Sequence, residues 1–279
     1  MKNKFVTLFL VVITSCANLS SPNTAINCSF PEDNSYAGGL INISISSNET
    51  ALEDKLRMED LKFSICRSDN LDVVILAPVP LSYAKKDVKL TLSGQLIAVI
   101  DLKDKFYRES RIEIKNQDFV SPPSTMQERI RDEYLQGQKA KNTYTQRVLK
   151  EFSMDKPLDG ITSSEFGVKR YINNEPRNRH IGLDIANKEG TPITAPLDGK
   201  IILSDNFFYK GNVIYIDHGG GLVSSYSHLS YKEAKLNQRI SKGDILGYVG
   251  STGRVTGPHL HWEVYYLGIP INPEIFLDP

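Results

Sequence analysis

Two of the chain's five histidines stand one residue apart, in the run GPHLHWEV at residues 257 to 264. In a strand, residues i and i+2 share a face. His259 and His261 then point one way and Leu260 the other, so two imidazoles can address a common centre, one binding a metal and one handling protons. His180 and Asp184, in RHIGLDI, add the nitrogen and oxygen donors that zinc accepts. Three protein ligands with an open fourth position mark a catalytic zinc, whereas four cysteines, or two cysteines with two histidines, would mark a structural one, and no such set is present here. His228, in YSHL, supplies a further imidazole. Singly, H-x-H reads as a core histidine and H-x3-D as a turn carboxylate. Together, with all five histidines between 180 and 261, they point to a metal centre.

Several lesser features surround this set. His218, in IDHGGG, fits a strand-end turn and a structural role. Trp262 faces away from the histidines by alternation and belongs in the core. Glu263 shares the histidine face, where it can hold a ligand imidazole or sit on the surface. The loop GSTGRVTG, residues 250 to 257, reads as substrate-contacting through Ser251, Thr252, Gly253 and Gly257, because its glycines permit close backbone approach. It lacks the Gly-Lys-Ser/Thr ending of a P-loop.

The elements that must position these residues are mostly strands. From about residue 156, the runs GKIIL, GNVIYIDHG, GLVSSYSHL, DILGYVG and HLHWEVYY are separated by glycine-containing turns, which predicts an antiparallel β domain over 156–279. Upstream, Ile41, Ile43 and Ile45 alternate with polar residues, as do Leu61, Phe63 and Ile65. VKLTLSG, LIAVIDL and SRIEIKN follow. Short alternating runs over 36–120 predict a small β-sandwich of immunoglobulin-like type, with no histidine and no catalytic constellation. Pro122 and Pro123 close it. Ser124 with Gln127, or Thr125 with Glu128, then forms a capping box for a linker helix within 121–155, broken near Gly137. The fold class is therefore mainly β: sandwich, linker helix, antiparallel β-sheet domain.

The N-terminus, MKNKFVTLFLVVITSC, has two lysines, a short apolar run and small residues, the form of a secretory signal peptide over 1–16. Ile13-Thr14-Ser15-Cys16 resembles a lipobox, which makes Cys16 the acylated residue of an exported lipoprotein, and 17–35 a polar tether. Removing Cys16 leaves Cys28 and Cys66, an even pair that can close a disulfide in an oxidising compartment. With 279 residues, the chain can bury a sizeable core in one large domain or two modest ones. Lys plus Arg and Asp plus Glu are 33 each, so there is no basic excess to suggest a nucleic-acid partner.

RHIGLDIANKEGTPITAPLDGKI, GNVIYIDHGGGLVSSYSHL and GSTGRVTGPHLHWEV together resemble the lysostaphin/LytM-type zinc metalloendopeptidases, which cut peptide bonds in bacterial peptidoglycan. The resemblance covers roughly 156–275. The sandwich, the helix and SSEFGVKR also look like members with an immunoglobulin-like N-terminal domain. The resemblance implies one zinc ion per chain, held by His180, Asp184 and His261. It implies His228 and His259 as the catalytic pair flanking the attacking water, with Ser164, Phe166, Gly167, Arg170 and Tyr171 shaping the groove edge or the packing beneath it. Zinc chemistry agrees: the metal acidifies water and polarises a carbonyl, while imidazoles move protons.

Every position of the family's metal and histidine set is present, which separates the chain from silent relatives that act as wall-binding or activator modules. The expected partner is peptidoglycan of a Gram-negative periplasm, cut as a D,D-endopeptidase cuts diaminopimelate cross-links. Glycine bridges are the alternative substrate. A lipid anchor would hold the chain at a membrane, and the sandwich is free to carry a protein partner. In related proteins an upstream residue sometimes enters the zinc site, and segment 138–160, including Asn142, is where one would lie.

Overall fold

The computed structural model describes residues 30–47, 51–67, 72–115, 117–146 and 152–277. The expected signal segment, Cys16 and Cys28 lie outside them. Cys66 is disulfide-bonded.

The first lobe comprises β1 (Leu40–Ser46), the single-turn α1 (Leu52–Lys55), β2 (Leu56–Met58), β3 (Ser64–Arg67), β4 (Asp72–Pro78), β5 (Asp87–Leu92) and β6 (Gln95–Asp101). β1, β4 and β3 form one three-stranded sheet, and β2, β5 and β6 another. All pairings within them are antiparallel. Alternation explains the arrangement. Ile41, Val73, Ile75 and Ala77 of one sheet pack against Leu56, Met58, Val88 and Leu90 of the other. Leu40 and Leu76 face the opposite way and join the core of the second lobe.

β7 (Glu109–Ile112), the SRIEIKN run, does not pair within the first lobe. It runs parallel to β9 (Lys169–Ile172), with Ser110 opposite Arg170. Next comes α2 (Ser124–Lys141). The expected capping box does not form. Pro123 is the N-cap, no side chain caps the first turn, and the Gln127 side chain donates instead to Pro122 O at 3.2 Å. Nor does the helix break at Gly137, because that glycine packs inward, where an added Cβ would lie 3.5 Å from the Tyr215 hydroxyl.

The second lobe adds β8 (Ile161–Ser164), β10 (Glu175–Pro176), β11 (Leu183–Ala186), β12 (Pro192–Thr194), β13 (Gly199–Phe207), β14 (Gly211–Gly219), β15 (Leu222–Leu229), β16 (Tyr231–Lys232), β17 (Arg239–Ile240), β18 (Ile245–Tyr248), β19 (His259–Tyr266) and β20 (Ile269–Ile271). The main sheet runs β17-β13-β14-β15-β19-β11-β8, with β20 on the flank of β19.

Strands β15 and β19 are covered on both faces. On one face Tyr226, Leu260, Trp262, Val264 and Tyr266 enter the main core. On the other, Val223 and Tyr265 pack with Val213, Tyr215 and Ala140 of α2. The second face also carries His261 and Glu263, so α2 roofs the sheet beyond the histidines. Arg129 Nη2 of this helix donates to Asn206 O (3.1 Å), and Glu133 Oε2 accepts from Phe208 N (2.7 Å), tying α2 to the β13–β14 turn. Each aliphatic side chain buried this way contributes roughly 1.5–3 kcal/mol.

Candidate metal centre

β19 lies between β15 and β11, and its register places the chemistry. Asp184 of β11 pairs with His261, and Ala186 with His259. His180 precedes β11, with its backbone tied to Val168 O at 2.9 Å. The result brings His180, Asp184 and His261 together. His180 Nε2 is 2.9 Å from Asp184 Oδ1 and 3.0 Å from His261 Nδ1, and His261 Nδ1 is 2.6 Å from Asp184 Oδ1. All three are buried.

The outer nitrogens have acceptors of their own. His180 Nδ1–H donates to Glu165 O at 2.7 Å, with Ser164 Oγ 3.1 Å away, and His261 Nε2–H donates to Glu263 Oε1 at 3.1 Å. With the outer N–H groups so held, each ligand ring can turn a lone pair inward to a metal, the arrangement metal-binding histidines require. Donors on a tetrahedral zinc at about 2.0–2.1 Å stand roughly 3.3 Å apart. The three donors, now 2.6–3.0 Å apart, need to spread by less than about 1 Å to reach that separation, so the set fits the ion.

His228 and His259 border the same centre. Their rings are 4.9 Å apart, and His228 is 5.9 Å from the His261 ring. His228 Nδ1–H donates to Thr252 O and His259 Nδ1–H to Gly257 O, each at 2.9 Å, which frees both Nε2 atoms. His259 Nε2 lies 3.9 Å from Asp184 Oδ1. Strict alternation would turn His228 away, because Ser227 is the residue opposite His261. His228 instead adopts φ 68°, and its N–H leaves the ladder for Lys210 O at 2.8 Å. A left-handed non-glycine residue carries backbone strain of about 1–3 kcal/mol, and such strain clusters at functional sites. The kink delivers the imidazole to the metal face.

Burial, then His261 and His259, press the pKa of His228 well below its ordinary 6.5. Burial also lowers His259, with Asp184 opposing. Both rings are thus neutral bases near pH 7. Burial lowers His180 as well, against the pull of Asp184. Burial opposes ionisation of Asp184, yet His180 and His261 hold its carboxyl well below 3.8. Its second oxygen, Oδ2, accepts from Arg170 Nη2 at 2.6 Å.

Sequence reasoning left Glu263 between holding a ligand imidazole and lying on the surface, and passed over its partners. Glu263 is buried, not on the surface, and accepts from His261, from Lys210 Nζ and from Ser225 Oγ. Ser225 is its cross-strand partner. Only the β15–β19 register and the β13–β14 turn reveal the cluster. The loop 250–257 also has a structural part. Thr252 Oγ1 donates to Leu229 O and accepts from Asn212 N. An added Cβ on Gly253 would meet Gly211 N at 2.4 Å. These two residues brace His228 against the 209–211 turn. Ser251 is exposed, and Gly257 has open space around it.

The weaker candidates also have places. Phe166 is buried, Gly167 abuts the Tyr107 ring, and Tyr171 lies under Arg111. His218, fully buried, donates from Nδ1 to Asp198 O and accepts from Ser224 Oγ, each at 2.8 Å. Asn142 ends α2 beside Gly268, past the far end of β19. At about 3.3 Å per residue, that is roughly 20 Å from His261, so it does not reach the centre.

The sequence model of peptidase family M23 matches residues 178–273. A DD-carboxypeptidase/endopeptidase of Neisseria meningitidis is 39% identical over 131 residues, 46% of this chain and 30% of the relative. A peptidoglycan DD-endopeptidase of Vibrio cholerae is 43% identical over 93 residues, 33% of this chain and 22% of the relative. The chain thus spans less than a third of the length of either curated relative. Among solved structures, a protein described as peptidase M23 from Pseudomonas aeruginosa superposes with a TM-score of 0.66 at 27% identity, over 88% of this chain and 96% of that one.

Proposed function

Given that the chain carries a peptidase family M23 domain over residues 178–273, we propose that it is an exported zinc-dependent endopeptidase that hydrolyses peptide cross-links of bacterial peptidoglycan, with D,D-endopeptidase specificity. The observation that carries this reading is the inward convergence of His180 Nε2, Asp184 Oδ1 and His261 Nδ1, with His228 and His259 on its border. Relatives named as peptidoglycan DD-endopeptidases support the bond class.

Bound to this triad, zinc supplies a Lewis acid that polarises the scissile carbonyl and acidifies water. The chain's own residues do the rest. Thr252 and Gly257 carbonyls fix the His228 and His259 rings with Nε2 toward the substrate. A neutral Nε2 accepts the proton of the attacking water, and the imidazolium so formed returns it to the leaving amine. A protonated ring beside the carbonyl oxygen also offsets the charge that develops there. Glu263 holds the His261 tautomer, and Arg170 fixes the Asp184 carboxylate, so the donors are set before metal arrives.

The apolar N-terminal run, Cys16 and the polar segment after it support export and anchoring of the chain by an acyl group at a membrane facing the wall. Cys28 is the proposed partner of Cys66. Among the described residues no helix is long and apolar enough to cross a membrane.

The test is digestion of intact peptidoglycan by the mature chain, with and without a chelator, read by mass spectrometry. Chelator-sensitive loss of cross-linked dimers, absent in His261→Ala and His228→Ala, is the expected result. Folded, zinc-loaded protein that releases nothing would overturn the wall-hydrolase reading.

A further inference from the structure

Arg254 stands in the segment that holds both border histidines, two residues after Thr252 and three before Gly257. Its N–H donates to Tyr209 O at 3.0 Å, so its backbone is fixed to the β13–β14 turn. Its guanidinium stacks 4.5 Å above the Tyr209 ring. Stacking covers one plane and leaves the N–H edge free, apart from a long 3.5 Å contact to Phe119 O. Neighbouring arginines are neutralised: Arg170 by Asp184 at 2.6 Å, Arg177 by Glu175 at 2.8 Å and Arg108 by Glu165. Among the described residues, no carboxylate lies within 4.0 Å of the Arg254 guanidinium.

Arg254 is also partly buried. Burial lowers its pKa, Tyr209 opposes this, and Arg170 and Arg177 lower it further. Thr252 and Gly257, whose carbonyls hold the His228 and His259 rings, flank Arg254 in the same loop, which places it beside the metal centre. A partly desolvated cation with no counter-ion is unfavourable until an anion joins it. A guanidinium edge held flat by an aromatic ring suits bidentate capture of a carboxylate.

We propose that Arg254 forms a carboxylate subsite beside the metal centre, taking the free carboxylate nearest the scissile amide. The inference rests on the endopeptidase reading and narrows its substrate. In a cross-link made through the side-chain amine of diaminopimelate, a free carboxylate sits on the carbon bearing the scissile nitrogen. Amidation removes that charge. The subsite therefore selects acid over amidated cross-links.

The experiment uses the full mature chain loaded with zinc and two soluble cross-linked peptides that differ only in this group, carboxylate or primary amide. KM and kcat are measured for wild type, Arg254→Gln and Arg254→Lys. Calorimetric binding of the two corresponding amine-side product peptides runs alongside. A charge-assisted hydrogen-bonded pair corresponds to about 10–100-fold. Wild type is expected to prefer the acid by that factor, chiefly in KM, with Arg254→Gln bringing the ratio near one and Arg254→Lys restoring part of it. The binding ratio should follow the same order. Equal use of acid and amide by wild type, or an acid preference that survives in Arg254→Gln, overturns the subsite. If wild type cleaves neither peptide, the endopeptidase reading fails instead. The acid-to-amide binding ratio then decides the subsite: an Arg254-dependent preference supports it, and equal binding overturns it.

Discussion

Replacing Lys210 by Met should expose how much the carboxylate behind His261 depends on its counter-ion. The Glu263 side chain is 2% exposed and that of Lys210 25%. Burial opposes ionisation of Glu263, but Lys210, then His261, hold its carboxyl well below 4.5. Without the ammonium, Ser225 and His261 still donate, yet the charge is left buried. Breaking such a pair costs about 3–5 kcal/mol. Proton uptake caps the cost of the stranded charge. Holding a carboxyl of ordinary value 4.5 neutral at pH 7 spans about 2.5 pH units at roughly 1.4 kcal/mol each, so the neutral carboxyl costs about 3.4 kcal/mol, and the lost stabilisation of the wild-type pair adds to it.

The pH dependence has opposite signs in the two proteins. In wild type the depressed folded pKa contributes stability that is present above 4.5 and fades as pH falls through the folded value. In Lys210→Met the penalty is present near pH 7 and shrinks as pH falls toward 4.5. Denaturant melts of the metal-free protein at pH 7 and pH 5 measure both, and Lys210→Met/Glu263→Leu closes the cycle by removing the stranded charge. A loss under about 1 kcal/mol at pH 7, an equal loss at both pH values, or no coupling in the cycle would refute the reasoning.

Three further outcomes follow from the same geometry. His228→Ala and His259→Ala should keep the fold and bound zinc while kcat falls roughly 10²–10⁴-fold; zinc content by atomic absorption checks this, and lost metal would contradict the border role. Burial, with His261 and His259 for His228, depresses both border imidazoles, so the neutral base persists as pH falls through 6.5. The acid limb of kcat/KM should therefore lie below 6.5, and a limb at or above that value would count against these rings as proton carriers. Gly253→Ala places a Cβ at φ 76° against Gly211 N, a strain of about 1–2 kcal/mol. That should displace the Thr252 carbonyl and lower kcat more than tenfold with a small change in Tm; a normal kcat would show that the loop does not position His228.

The residues of the centre were legible because their chemistry is local. Strand alternation alone puts His259 and His261 on one face and Trp262 on the other, and the sheet obeys it. The run-and-turn pattern likewise marked the strands, since glycine-containing turns separate the apolar runs, although β15 and β19 are buried on both faces. Side-chain capping was misread because Pro123 already supplies the extended N-cap backbone, and Gly137 was misread as a break because the close packing of α2 on Tyr215 cannot be seen along the helix. The partners of Glu263 were hidden for a similar reason: Lys210, Ser225 and Glu263 are 15 to 53 residues apart and meet only through the β14–β15–β19 register. His228 defies alternation outright. Sequence by itself determined which groups could bind a metal and carry protons. Tertiary structure decided which way they point, because a left-handed backbone at His228 and a buried ion pair behind His261 are stable only when distant strands close around them.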